Sequence, residues 1–265
     1  MLEQWLVVVA VLLVLSVFGS KASGRLGVPA LLFFLALGLL AGPEGILGIA
    51  WRDLAVIQAV GVIALIYILF SGGLDTSWSH IRPVLWSGIL LSTVGVLLTA
   101  LLMAVFAVLA LGFTLLEGLL LGAVISSTDA AAVFAILRSK EVRLRGNLEP
   151  LLELESGSND PVAVFLTLSA LRLLHRPEAG LLDLVPFFVT QFLVGGALGV
   201  VGGYGAIYLV NHARLRFDGL YSVLTVAVPL FIFGLTALLG GNGFLAVYLA
   251  GLMMNRRDFI HKNSL

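Results

Sequence analysis

The sequence predicts an all-α membrane protein of about nine transmembrane helices, with the N-terminus outside and the C-terminus cytoplasmic. Three observations carry that expectation. Of 265 residues, 60% are apolar and 11% charged, and the mean hydropathy is +1.11. A water-soluble fold of this size carries about twice that share of charge. The apolar residues also fall in long runs without sustained alternation, which favours helices over a membrane barrel. Finally, the basic residues collect on one side of the layout that those runs define.

The runs lie near 4–19, 28–42, 54–71, 84–111, 115–137, 148–174, 184–210, 220–239 and 243–255. The first opens on Met1-Leu2-Glu3-Gln4, acidic where a signal peptide is basic, and is read as a helix. The second is short and bounded by Gly27 and Gly42, and the ninth, from Gly243, has the same character. In the proposed layout these two run in opposite directions, as in an inverted repeat. The third ends near Asp75, a position that suits an interfacial cap better than a ligand. After the fifth comes the longest loop, 138–147, whose Arg138, Lys140, Arg143 and Arg145 mark topology or, alternatively, a cytoplasmic pH sensor. The seventh carries Gly195, Gly199 and Gly203, two overlapping small-residue steps that suit either a homodimer interface or packing within one subunit.

With the N-terminus outside, twelve of the fifteen Lys and Arg residues fall in inner loops, leaving Arg52, Arg172 and Arg176 outside. The formal net charge is zero, which excludes a polybasic nucleic-acid binder. With no cysteine, disulfide and thiolate chemistry is absent; the four histidines are scattered and build no zinc or haem site. No cofactor is expected, and the chain is read as a transporter rather than an enzyme.

Most carboxylates sit at span ends, but Asp129 and Asp160 lie inside the fifth and sixth runs. Asp129 is about 14 residues, or roughly 21 Å, into its run. A charge at that depth costs about 2.5–3.5 kcal/mol or more, so it marks an ion or proton pathway; the alternative is a polar pair that locks two helices. Asp129 follows Ser126, Ser127 and Thr128, hydroxyls able to satisfy a locally unwound backbone whose freed carbonyls could ligate a cation. In the sixth run, Ser156 and Asp160 share a helical face, as do Glu155 and Asn159. Gly157 permits close backbone approach, and Pro161 removes a backbone donor beside the acid. Carboxylate, hydroxyl and carbonyl oxygens together suit a hard cation such as sodium or potassium. No Lys or Arg lies at this depth to neutralise the acids.

Ser127-Thr128-Asp129-Ala130-Ala131-Ala132-Val133-Phe134 followed by Glu153-Leu154-Glu155-Ser156-Gly157-Ser158-Asn159-Asp160-Pro161 resembles the monovalent cation:proton antiporter family of NhaP type, closest to its bacterial potassium/proton branch. Ile68-Leu69-Phe70-Ser71-Gly72-Gly73-Leu74-Asp75-Thr76 and the segment from Gly243 to Gly251 are similar to that branch too. The resemblance implies that Asp160 binds ion and proton, and that Asn159 marks electroneutral exchange. It implies that Thr128 and Asp129 lie at an unwound helix, that Ser156 is near the ion, and that Glu155 is a structural partner. Ser127 and Pro161 are expected to support the site, and Asp160, Ser156 and Thr128 to ligate the cation. Ala130 stands where many relatives carry proline, a mark of the subfamily.

The resemblance further implies two inverted repeats of about six helices. This chain supplies one repeat, a linking span and the start of the second, as a fragment or shortened product would. Residues 1–265 are read as one transmembrane domain: 1–111 scaffold helices and the first core helix, 112–176 the core helices with the ion site, 177–265 the link and second-repeat start. The expected function is exchange of K+ or Na+ for H+ across the cell (inner) membrane by a homodimer, with Asp160 taking either a proton or a cation. A cation channel using the same acids, and a non-transporting fragment or scaffold, are the alternatives.

Overall fold

A computed structural model describes residues 2–26, 28–49, 53–139, 142, 144–176, 178, 180–213, 217 and 219–255. Its regular structure is entirely helical among the described residues: α1 (Leu2–Leu26), α2 (Ala30–Ala41), α3 (Leu54–Asp75), α4 (Trp78–Leu111), α5 (Leu115–Ile125), α6 (Ala130–Ser139), α7 (Leu148–His175), α8 (Leu184–His212), α9 (Gly219–Leu238) and α10 (Gly243–Asn255). Each apolar run thus contains helix. Many basic loop positions that underlie the orientation, among them Lys140, Arg143, Arg214, Arg216, Arg256 and Arg257, lie outside the described residues.

The fifth run, 115–137, holds two helices separated at the stretch where the sequence suggests local unwinding: α5 stops at Ile125, α6 starts at Ala130, and residues 126–129 between them are not helical. The start of α5 is firmly fixed. Gly112, with φ +72, ends α4 in the left-handed conformation that glycine adopts without strain. Thr114 and Glu117 then form a capping box, the Glu117 carboxylate accepting from the Thr114 amide at 2.9 Å. The end of α5 is set instead by four consecutive polar residues, 126–129, whose side chains compete with the helix for backbone partners.

Five helical segments are long and apolar enough to cross a membrane: Leu6–Ser23 in α1, then α3, α4, α8 and α9. Three apolar helices are shorter, α2, α5 and α10. The 28-residue α7 is long enough, at about 42 Å, but its first half carries Glu149, Glu153, Glu155, Asn159 and Asp160. The surface is inverted relative to a soluble protein. Leu109 and Leu238 are 80% and 87% exposed, while small residues such as Ala104, Ala107 and Ala246 are buried to 1% or less. Large apolar side chains face outward and small ones let backbones approach, the pattern of membrane helix packing.

The chain forms two compact units. One comprises Met1–Val60 and Asp129–Arg145, where α1 packs on α2 and a cavity of about 480 Å³ opens beside Leu12, Ala41 and Val56. The other comprises Gly61–Thr128 and Gly146–Leu265. At its centre is α10, 13 residues and about 20 Å long, too short to span a bilayer core of about 30 Å squarely. It is buried on every side, including Ala246, Val247, Ala250 and Met254, against Ile66 and Phe70 of α3, Ala206 and Val210 of α8, and Val228 and Ile232 of α9.

The glycines of α8 settle one alternative left open by the sequence. A β-carbon added at Gly195 would lie 2.8 Å from the Asn242 carbonyl oxygen, at Gly199 2.7 Å from that of Ala246, and at Gly203 3.0 Å from that of Ala250. The stripe is consumed inside the subunit by α10 and is not the homodimer surface it could have been. Gly118 and Gly122 of α5 do the same against the backbone of Ala104 and Ala100 on α4.

Candidate functional site

The non-helical residues after α5 would leave backbone carbonyls without partners, an expensive condition in an apolar setting. Side chains answer it. The buried Ser126 hydroxyl donates to the Ala123 carbonyl at 2.9 Å. Two side chains of α7 reach the Thr128 carbonyl: the Ser156 hydroxyl at 3.2 Å and the Asn159 amide at 3.1 Å. The break is therefore held open by α7.

Asn159 is the hub. It is fully buried, and its amide nitrogen also donates to the Thr128 hydroxyl at 2.8 Å and to a Glu155 carboxylate oxygen at 3.1 Å. Its amide oxygen accepts from the Ser127 hydroxyl at 3.0 Å. The Thr128 hydroxyl, in turn, donates toward both Glu155 oxygens at 3.1 Å. Glu155 and Asn159 are four apart on α7, so the helix itself presents them side by side.

Asp160 lies one residue past the hub, half-buried, and its Oδ1 accepts a short hydrogen bond from the Ser127 hydroxyl. Ser127 thus bridges Asn159 and Asp160, tying the acid to the same break. Of the expected site residues, Ser127, Thr128, Glu155, Ser156, Asn159 and Asp160 come together here. Pro161 follows within α7, buried, and the helix runs through it. Asp129 belongs to the other unit, where it is exposed and directly precedes α6. Among the described residues no three His, Asp or Glu side chains gather as a metal site. The network tied to Asp160 through Ser127 brings together hydroxyl, amide, backbone carbonyl and carboxylate oxygens, the hard donors that suit a cation such as sodium or potassium.

Sequence reasoning missed Asn242. Its side-chain oxygen accepts from the Leu245 amide at 3.0 Å as the N-cap of α10, and its nitrogen donates to the Pro161 carbonyl at 3.0 Å. Its own backbone amide donates to the Gln191 carbonyl of α8 at 3.0 Å. One buried residue therefore fastens α10 and α8 to α7 beside the acid. Its signal was present, since Asn followed by an apolar helical run is a strong N-cap pattern. Tyr248 was also missed. A β-carbon at Gly157 would lie 2.5 Å from its ring, so the glycine of the motif exists to admit this tyrosine.

Residues 9–265 match the family described as "Sodium/hydrogen exchanger, transmembrane". The chain is 39% identical over 266 residues to the K(+)/H(+) antiporter NhaP2 of Shewanella sp. (strain MR-4), covering 100% of this chain and 46% of that protein. It is 39% identical over 246 residues to the K(+)/H(+) antiporter NhaP of Alkalimonas amylolytica, covering 93% and 43%. The fold is similar to that of the sodium proton antiporter MjNhaP1 from Methanocaldococcus jannaschii, with a TM-score of 0.76 and 25% identity, over 100% of this chain and 65% of that one. The chain spans about half the length of the curated relatives it matches.

Proposed function

The chain belongs to the sodium/hydrogen exchanger family of multi-pass membrane proteins, and from that premise we propose that it exchanges a monovalent cation, K+ or Na+, for a proton across the cell (inner) membrane. The observation that carries this reading is the coupling of Asp160 to the break after α5: Ser127 bridges Asp160 and Asn159, and Asn159 holds Thr128. A carboxylate beside neutral oxygen donors can be neutralised by a proton or by a cation. Because both neutralise the same charge, each displaces the other, and that competition is the chemistry of antiport.

Asp160 is the exchanging group, with Ser156 and Thr128 completing the cation's oxygen shell and Ser127, Asn159, Glu155 and Pro161 holding the geometry. The buried neutral Asn159 adds no second exchangeable charge, which supports electroneutral exchange. The bias of twelve basic residues against three supports a cytoplasmic C-terminus. The assembly we propose is a homodimer, its interface away from the α8 glycines.

The test is cation-driven proton movement in proteoliposomes containing the chain or its Asp160→Asn variant. Exchange by the first and none by the second is expected. Equal signals from both would overturn the reading, and current without proton counter-movement would make the protein a channel.

A further inference from the structure

The far end of α7 carries a basic cluster that the exchange chemistry leaves unused. Leu168, Leu171, Arg172, His175 and Arg176 are spaced i, i+3, i+4, i+7 and i+8 and form one stripe. With Phe187 and Gln191 of α8 they line a cavity of about 460 Å³. In the layout drawn from the sequence, Arg172 and Arg176 are two of the three basic residues on the outer side, so the positive-inside rule does not account for them. Like charges four residues apart also repel. The acids that follow do not offset them: the Asp183 carboxylate accepts from the Gly180 amide at 2.8 Å, and Glu178 is exposed. Among the described residues neither arginine forms an ion pair with either acid.

The cavity wall is set by contacts of its own. The Arg172 guanidinium lies 4.9 Å from the centre of the Phe187 ring, and that ring stacks on Phe165 at 5.5 Å. The Gln191 side chain donates to the Gly240 carbonyl at 3.2 Å. His175 donates from Nδ1 to the Leu171 carbonyl at 2.8 Å, which leaves Nε2 as the nitrogen available to a ligand.

Depth identifies the ligand. The 28 residues of α7 extend about 42 Å. Centred on a hydrocarbon core of about 30 Å, the helix leaves about 6 Å, roughly four residues, beyond the core at each end. At the C-terminal end these are Arg172 to His175, with Arg176 next. Leu168 lies about 6 Å deeper, within the core. The stripe thus passes from apolar to doubly cationic at the level where a phospholipid passes from acyl chain to phosphate. A free anion would have no use for the apolar half. We propose that this cavity binds an anionic phospholipid, its phosphate held by the guanidinium groups of Arg172 and Arg176 and its acyl chain lying over Leu168 and Phe187.

The test is thermal unfolding of the full chain in detergent, titrated with phosphatidylglycerol, phosphatidylcholine or inorganic phosphate. Phosphatidylglycerol is expected to raise the melting temperature, and the other two to leave it unchanged. Arg172→Gln and Arg176→Gln should each weaken the apparent affinity for phosphatidylglycerol by about tenfold, and the double variant should lose the shift. Arg82→Gln removes a charge on α4 outside the cavity and should leave the affinity unchanged. Arg176 follows the last residue of α7, so Arg176→Gln decides the site if the double variant does not fold. An equal shift from phosphatidylcholine or from inorganic phosphate would overturn the proposal, as would an equal loss in Arg82→Gln. A lower lipid-free melting temperature with the phosphatidylglycerol response intact would mean that the arginines serve only the helix dipole, and that too overturns it. No transport is required, so the outcome is independent of the exchange measurement.

Discussion

Replacing Asn159 by alanine should loosen the break after α5 by an amount that the hydrogen bonds themselves bound. The amide nitrogen has acceptors at 2.8, 3.1 and 3.1 Å, and the amide oxygen has a donor at 3.0 Å. Two N–H groups shared among three acceptors, plus one accepted bond, make about three full hydrogen bonds, each worth about 0.5–1.5 kcal/mol net. Every partner keeps a second contact, however: the Thr128 carbonyl keeps Ser156, Glu155 keeps the Thr128 hydroxyl, and Ser127 keeps Asp160. That places the cost in the lower half of the range, about 2–3 kcal/mol. The assay is thermal unfolding in detergent, followed by tryptophan fluorescence, for Asn159→Ala, Thr128→Ala and the double variant. Because the two side chains contact each other directly, they should couple by about 1 kcal/mol. A cost for Asn159→Ala below about 0.5 kcal/mol, or additivity within that margin, would refute the view of Asn159 as the hub.

Other perturbations test the packing around the site. Gly122→Leu drives a side chain into the backbone of Ala100, and should destabilise by at least about 1–3 kcal/mol in the same melting assay. Gly199→Leu should lower the melting temperature by forcing α8 from α10 while leaving the oligomeric state of the folded protein unchanged, measured by light scattering in detergent. Loss of a dimer at unchanged melting temperature would contradict that assignment. Asn242→Ala removes both the α10 cap and the bond to Pro161, and should cost about 1–2 kcal/mol. It should also lower exchange, because the carbonyl it holds follows Asp160 directly.

Much of the site was readable from sequence because its geometry is local to one helix. Glu155 with Asn159, and the motif's position beside Pro161, follow from i, i+4 spacing alone, and the hydroxyls at 126–128 announced a strained backbone. The bond to Asp160 from Ser127 was less accessible, because Ser127 lies on another segment more than thirty residues away and no local spacing points to it. A run's hydropathy does not show where it breaks; in 115–137 the break is signalled by the polar residues 126–129 and not by the apolar pattern. The roles of Asn242 and Tyr248 depend on α10 packing against α7, a contact between segments some 80 residues apart. No local pattern encodes such a distant pairing. The glycines of α8 illustrate the same limit: their spacing demands a close neighbour but does not say whether it is α10 or a second subunit.

Everything turns on Asp160 holding a proton or a cation, never both. The most direct measurement is proton release when K+ or Na+ is added to the purified, weakly buffered protein in detergent, which requires binding but not transport. About one proton per chain should be released, with an apparent cation affinity that weakens as the solution is made more acidic. The Asp160→Asn variant should release none. Silence from the wild-type chain, or equal release from the variant, would contradict the assignment of Asp160 as the exchanging group.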